Sequence, residues 1–405
     1  MTKAMYIGLS PDYKYPGTFE KWFENNTRYA SNHGACLISR AIGKEFNADY
    51  IDDFSNISEL NRQYDVCFIA LATHINAYRD ISYYVDVIEK LDMKVVAFSL
   101  GVEDYIGGMG EDYSLHPSVI RFLEVVSSKS KLIGVRGHYT ASLLYRAGFS
   151  NVLAIGCPTV YSNQKPSLKI NKKPEFESAL CVYQSSMAEH LPHLLKGPVI
   201  LGQDFQDQVT FTNELDDDKT LKSAWDSYYD RVDPNRTVRH YIEERGTFPD
   251  TFETWDSIIG QHDFVYGPRL HANVAALLKG IPAVMFARDL RVREIAEFYD
   301  LPYITYDEAK KLSVQEIYQK VDFERFSETY EMRYQNFLYF LRQNEVEHSF
   351  EGDQESDFSV NGYDERITRY LSAQGLNKVG QTNLTHYKWK SRLARVSRIL
   401  TQGRS

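Results

Sequence analysis

The chain has 405 residues, of which 43% are hydrophobic and 25% charged, and its formal net charge is −9. This length accommodates two domains with full-sized cores, the composition is that of a globular protein, and the negative charge disfavours a nucleic-acid partner. No apolar stretch resembles a signal peptide or a bilayer span. None of the four cysteines, Cys36, Cys67, Cys157 and Cys181, belongs to a Cys-x-x-Cys pair, so no zinc or thioredoxin-type site is predicted. Three of them lie in apolar runs or on a helix face, which predicts buried thiols and suits a reducing cytoplasm.

The first half alternates short apolar runs with helical patterns. We predict strands at 5–9, 66–72, 95–100, 132–135 and 152–155, and helices at 34–45, 81–91, 118–128 and 139–147. Such a βαβ series predicts a parallel sheet flanked by helices, in a Rossmann-like domain over residues 1–160. Residues 161–178 are polar and lysine-rich, which is typical of an interdomain linker.

The pattern begins again at residue 179 and predicts a second Rossmann-like domain over residues 179–322. Two α/β domains whose parallel sheets face a cleft form a GT-B-like architecture. The acidic stretch 204–244 interrupts the pattern, and either a lid over the cleft or an acidic surface loop fits it. After Phe323 the spacing of apolar residues predicts a long helix within a helical extension, 323–376.

The segment 267–284 carries the clearest functional signal. An apolar strand ends in Gly267-Pro-Arg-Leu-His271, an apolar helix is predicted from 272 to 278, and Gly280 ends it. Arg269 and His271 lie two residues apart, so in an extended turn both side chains face the same side. A cation and an imidazole beside a helix N-terminus predict an anion site.

The C-terminal stretch 377–405 contains seven lysines and arginines and no acidic residue, and its apolar residues, including Trp389, recur at helical spacing. Two interpretations stay open: a basic amphipathic segment that binds an anionic membrane surface, or a solvated chain end.

The Arg-Leu-His-Ala motif at 269–272, followed by Gly280-Ile-Pro, resembles the signature of the polysaccharide pyruvyl transferase family. The stretch Ile133-Gly-Val-Arg136 and the Asn32-His-Gly34 turn are similar to two further motifs of that family. Two positions depart from the family pattern, because Ala35 and Gly137 stand where acidic residues are usual.

This resemblance implies transfer of pyruvate from phosphoenolpyruvate to two hydroxyls of a sugar, with formation of a cyclic ketal and no metal or other cofactor. It implies His271 as general acid or base together with Arg269. The implied donor-binding set is Arg269, Leu270, His271, Arg136 and Arg291, and the acceptor candidates are Asn32, His33 and His74. For Asn32 a helix N-cap is an equal alternative.

The acceptor is implied to be a saccharide of a cell-surface polysaccharide or its precursor, and lipid-linked, polymeric and free acceptors all stay open. The expected location is the cytoplasm, with peripheral attachment to the inner face of the membrane if the basic tail binds lipid. Two alternatives remain: a GT-B-type glycosyltransferase that uses a nucleotide sugar, and a non-catalytic sugar-binding protein.

Overall fold

The computed structural model describes residues 2–13, 32–71, 73–77, 79–102, 114–212 and 219–353. Its first parallel sheet has the strand order β2-β1-β3-β4, formed by β1 (Ala4–Ile7), β2 (Ala48–Tyr50), β3 (Val66–Ile69) and β4 (Lys94–Ala97). A further parallel pair, β5 (Ile133–Val135) and β6 (Val152–Ala154), meets the chain beyond β4 through a bridge between Leu100 and Val135.

The second sheet has the order β12-β11-β10-β7-β8-β9, and all its pairings are parallel. Its strands are β7 (Ala179–Val182), β8 (Val199–Leu201), β9 (Gly246–Thr247), β10 (Phe264–Gly267), β11 (Ala283–Ala287) and β12 (Tyr303–Thr305). All five residues of β11 are buried, as expected where helices cover both faces of a parallel sheet. The predicted α/β architecture with parallel sheets is confirmed, and the segment predicted as linker lies between β6 and β7.

Helices connect the strands. Those of the first half are α1 (His33–Glu45), α2 (Ile57–Gln63), α3 (Ser82–Glu89), α4 (Pro117–Lys129) and α5 (His138–Arg146). The second half contains α6 (Ser185–His190), α7 (Phe205–Thr212), α8 (Lys219–Val232), α9 (Thr237–Arg245), α10 (Phe252–Gly260), α11 (Leu270–Leu278), α12 (Leu290–Tyr299), α13 (Tyr306–Ala309), α14 (Val314–Lys320) and α15 (Glu324–Gln343). No helix of the described ranges has the length and apolarity needed to cross a membrane.

The interpretation of 204–244 as an acidic surface loop is wrong. Most of this stretch forms α7, α8 and α9, and the side chains of Tyr229, Val238 and Ile242 are buried. The burial of these apolar residues outweighs the acidic composition of the exposed faces. The acidic triplet Asp216-Asp-Asp218 of this stretch lies outside the described residues.

The predicted long helix is present as α15, and it packs back onto the first domain. Phe340 makes an edge contact with Phe98 beside β4, with ring centroids 5.7 Å apart. The side-chain amide of Asn336 donates to the carbonyl of Ala154 at 2.6 Å. Burial of each such aromatic side chain stabilises the fold by about 1.5–3 kcal/mol. The C-terminal helix therefore belongs to the core of the N-terminal sheet.

The carboxyl-terminal edges of the two sheets meet, which positions the site. The backbone N–H of His33, after β1, donates to the carbonyl of Gln203, after β8, at 3.0 Å. A Cβ on Gly34 would lie 3.0 Å from the Cβ of His271. The N-termini of α1 and α11 are therefore close together at the edge where ligands bind in open parallel sheets.

Candidate active site

The turn between β10 and α11 is tighter than the sequence predicted. Gly267 has φ of 139°, and a Cβ there would lie 2.5 Å from the carbonyl oxygen of Val182, so this turn requires glycine. Helix α11 begins at Leu270 with Arg269 as its N-cap residue. The prediction that the helix starts at residue 272 is therefore wrong, and His271 lies in the first helical turn.

Arg269 is held by the protein itself. Its Nη1 lies 2.7 Å from Asp204 Oδ2, its Nη2 lies 2.5 Å from Asp207 Oδ2, and its Nε donates to the carbonyl of Tyr183 at 2.7 Å. The side chain is 9% exposed. These contacts occupy the fork that we expected to bind the donor, so in this conformation Arg269 joins the ends of β7, β8 and β10.

Asp207 is the buried centre of this junction. Its Oδ2 also accepts the backbone N–H groups of Gln203 at 3.0 Å and Asp204 at 3.3 Å. Burial raises the pKa of Asp207 above its ordinary value, and the guanidinium of Arg269 opposes that shift. The pair therefore depends on both partners, since either charge alone would be desolvated without compensation.

His271 carries an uncharged imidazole. Burial, followed by the positive charges of Arg136 and Arg291, lowers its pKa to about 3. Its Nε2 lies 3.9 Å from the Sγ of Cys157, which follows β6 in the first domain. A neutral ring with two cations in its surroundings is a weak base at neutral pH, and an anion bound beside it would raise its pKa and favour the protonated form.

Two arginines of the predicted donor set therefore act on His271 from different domains. Arg136 directly follows β5, is 2% exposed, and its backbone N–H donates to the carbonyl of Leu100 at 2.9 Å. Arg291 is in the first turn of α12, where its Nη2 lies 2.5 Å from Asp289 Oδ2. Leu270, which directly precedes His271, is half-buried. The structure thus brings Arg136, Arg291 and His271 into one electrostatic cluster.

The three acceptor candidates have different surroundings. Asn32 is the N-cap of α1: its Oδ1 accepts the N–H of Ala35 at 3.2 Å and the side-chain amide of Gln203 at 2.9 Å. Asn32 is therefore the helix N-cap that the sequence left open as an alternative, and it also accepts a hydrogen bond from the second domain. His74 is half-buried and packs edge-on against Tyr84.

His33 is an interior residue. Its ring lies against Tyr13 with a centroid distance of 4.3 Å, and its Nε2 is 2.8 Å from the carbonyl oxygen of Pro249. It is fully buried, and burial lowers its pKa to about 4. In this conformation His33 exposes no atom to a sugar, because its ring is packed among aromatic side chains although it is the first residue of α1.

Several polar residues at the site were not predicted. Ser99, two residues after β4, is 4% exposed and has φ of 52°, a conformation that a non-glycine residue adopts at a cost. Asp204 and Asp207 follow β8 three residues apart, a signal that sequence reasoning could have used. Glu294, in α12, gave no signal. Within the described ranges, no group of three His, Cys, Asp or Glu side chains is arranged to hold a metal.

Comparison with known proteins gives a family match over much of the chain. The family model described as polysaccharide pyruvyl transferase matches residues 10–289. No curated protein matches the chain.

Solved structures align over most of the chain with low similarity. Anabaena Alr3699/HepE in complex with UDP and glucose aligns with a TM-score of 0.39 and 11% identity, covering 92% of this chain and 100% of that chain. A putative UDP-N-acetylglucosamine 2-epimerase from Listeria monocytogenes gives 0.38 and 10%, covering 92% and 98%. The wall teichoic acid polymerase TagF gives 0.30 and 12%, covering 80% and 78%.

Proposed function

Because the chain belongs to the polysaccharide pyruvyl transferase family, a family of transferases, we propose that it moves pyruvate from phosphoenolpyruvate to two hydroxyls of a sugar. The sugar belongs to a cell-surface polysaccharide or its precursor, and the products are a cyclic ketal and phosphate. The observation that supports this proposal best is the cluster of His271, Arg136 and Arg291 at the edge where both sheets end.

The donor carries a phosphate and a carboxylate, so it needs cations in a fixed geometry. Arg136 and Arg291 supply planar guanidinium groups from opposite domains, and Arg suits both anions. The first N–H groups of α11 add donors beside His271. In this proposal Arg269 contributes by fixing the turn through Asp204 and Asp207, a change from the direct donor contact expected from the sequence.

The reaction can be written as an addition followed by a substitution at the central carbon of the donor. One sugar hydroxyl attacks that carbon, its proton leaves, and the methylene carbon gains a proton to become a methyl group. The second hydroxyl then forms the second C–O bond, the C–O bond to phosphate breaks, and the phosphate leaves with the second proton.

His271 is the proposed proton carrier. In the free protein it is neutral and, because its pKa is lowered, a weak base. The negative charge of the bound donor offsets the positive charges of Arg136 and Arg291, which raises the pKa of His271 and prepares it to accept the proton of the attacking hydroxyl.

The acceptor side of the proposal is broader. Asn32, the N-cap residue of α1, and His74, in the connection after β3, remain acceptor candidates, and the acceptor is a saccharide whose carrier is open. The protein works in the cytoplasm in this proposal, and residues 377–405, which lie outside the described residues, bind the anionic inner face of the membrane where a lipid-linked sugar would be presented.

The test combines two measurements on one reaction. The protein is incubated with phosphoenolpyruvate and candidate lipid-linked sugars in the presence of a chelator, and phosphate release is measured together with the mass gain of the sugar. We expect both signals in equal amounts, neither without sugar, and both lowered about 10²–10⁴-fold in His271→Ala. Transfer of a glycosyl group from a nucleotide sugar, or sugar binding without any turnover, would overturn the proposal in favour of the two alternatives.

A further inference from the structure

Helix α5 begins at His138, two residues after Arg136, and has no capping side chain of its own. Gly137 is its N-cap residue and makes no side-chain hydrogen bond. The first N–H groups of a helix need acceptors, which an Asp, Asn, Ser or Thr at the N-cap usually supplies to the third helical residue. In α5 that residue is Thr140.

The missing acceptor comes from the other domain. Glu294 of α12 accepts the backbone N–H of Thr140 at 2.6 Å through Oε1, and its Oε2 accepts the hydroxyl of Thr140 at 2.9 Å. The same hydroxyl oxygen accepts the backbone N–H of Val102 at 3.3 Å. Glu294 is 2% exposed. One carboxylate thus joins α12, the start of α5 and the chain beyond β4.

Gly137 and Glu294 fit each other sterically. A Cβ on Gly137 would lie 2.5 Å from Cγ and 3.1 Å from Oε1 of Glu294. The backbone of Gly137 is extended, with φ of −169°, so any residue could adopt it. Glycine is required here because the glutamate from the other domain occupies the space of a local capping side chain.

We propose that Glu294 is a positioning residue that caps α5 across the domain interface and thereby holds Arg136 at the donor site. The inference rests on the proposed function for the role of Arg136. The cap exists when the two domains are packed together, so it couples the placement of a first-domain cation to the second domain. Burial raises the pKa of Glu294 to about 7, and in its ionised form the carboxylate also acts on Arg136.

The test moves the carboxylate to the other side of the interface. Glu294→Ala removes it, and the double variant Glu294→Ala with Gly137→Asp returns a carboxylate from the N-cap position itself, where an aspartate can accept the N–H of Thr140. We expect Glu294→Ala to raise KM for phosphoenolpyruvate about fivefold, the equivalent of about 1 kcal/mol for a lost cap, with kcat changed less than twofold. The double variant should return KM to within about twofold of wild type.

Two controls separate positioning from general damage. Gly137→Asp alone should lose phosphoenolpyruvate binding, because the new side chain would clash with Glu294. Glu294→Gln keeps an acceptor for the N–H of Thr140 and should stay within about twofold of wild-type KM. If Glu294→Ala does not fold, the double variant alone tests the proposal. A double variant that neither folds nor binds phosphoenolpyruvate overturns it.

Hydrogen exchange gives a readout that does not depend on catalysis. The amides of residues 138–142 should exchange faster in Glu294→Ala and regain protection in the double variant. Unchanged exchange overturns the capping, and restored exchange without restored KM overturns the positioning of Arg136. If wild-type protein does not bind phosphoenolpyruvate, the proposed function fails, while the exchange experiment still decides whether Glu294 caps α5.

Discussion

Replacement of Arg269 separates a donor clamp from a structural junction. In Arg269→Ala the carboxylate of Asp207, which is 1% exposed, loses its charge partner, and the carbonyl of Tyr183 loses a donor. Removing one member of a buried ion pair costs about 3–5 kcal/mol, since the other charge stays desolvated. At an m-value of about 3 kcal/mol/M in urea, the midpoint of unfolding should fall by about 1–1.7 M.

The stability of Arg269→Ala should decrease as the pH rises. Without the guanidinium, burial raises the pKa of Asp207 further above its unfolded value, so the folded state binds more protons than the unfolded state. Stability of the variant is then greatest below the unfolded pKa and falls as pH rises toward the folded pKa. Urea unfolding of Arg269→Ala at pH 5 and pH 8 measures this slope.

Two further variants complete this experiment. Arg269→Ala combined with Asp207→Asn removes the uncompensated charge and keeps an acceptor for the N–H of Gln203, so about half of the lost stability should return. Arg121 is the matched control, because it also pairs with two carboxylates but is 44% exposed. Arg121→Ala should unfold like wild type. If Arg269→Ala also unfolds like wild type and yet loses phosphoenolpyruvate binding, the residue is a donor clamp and our reasoning is wrong.

Three other predictions follow from the site, the backbone and the tail. His271→Ala should lower turnover about 10²–10⁴-fold at saturating donor. Since the pKa of His271 is lowered to about 3, kcat/KM of wild type should show no loss attributable to this residue down to about pH 5. A decrease of wild-type kcat/KM below about pH 6.5 that disappears in His271→Ala would contradict this. Gly156→Ala should lower the thermal stability of the protein more than Gly148→Ala. Both glycines have positive φ, but a Cβ on Gly156 would lie 2.0 Å from the hydroxyl of Tyr299, whereas a Cβ on Gly148 meets nothing within 4 Å. Equal losses of stability would refute the steric argument. Removal of residues 377–405 should reduce co-sedimentation with anionic vesicles at low salt and leave activity on a soluble acceptor intact, and equal sedimentation of both forms would exclude a membrane role for this segment.

The strands and the main functional turn could be predicted because their signals are local. Apolar runs that end in glycine or proline, such as the one before Gly267, identify buried parallel strands and the loops after them. Helices α7–α9 were missed because their polar composition conceals the helical spacing of apolar residues such as Val238 and Ile242. The helical spacing was present in the sequence, but the acidic composition indicated a loop.

The electrostatic state of the site could not be predicted, since it depends on contacts between distant residues. Arg269 and Asp207 are separated by 62 positions, and nothing near Arg269 in sequence indicates that its fork is occupied. The neutral state of His271 results from burial and from arginines of two domains. Residue types at a strand end thus identify a site, and tertiary packing decides which of them face a ligand.

The return of α15 to the first domain affects how the protein is made. Asn336 bonds to the carbonyl of Ala154, a partner 182 positions earlier, and Phe340 packs beside β4. At a synthesis rate of about 5–20 residues per second, a ribosome needs about 10–35 s to travel that distance. During this interval the N-terminal sheet is complete in strands but lacks its covering helix, so its apolar face is open to chaperones. The first domain to be synthesised is therefore among the last to be finished.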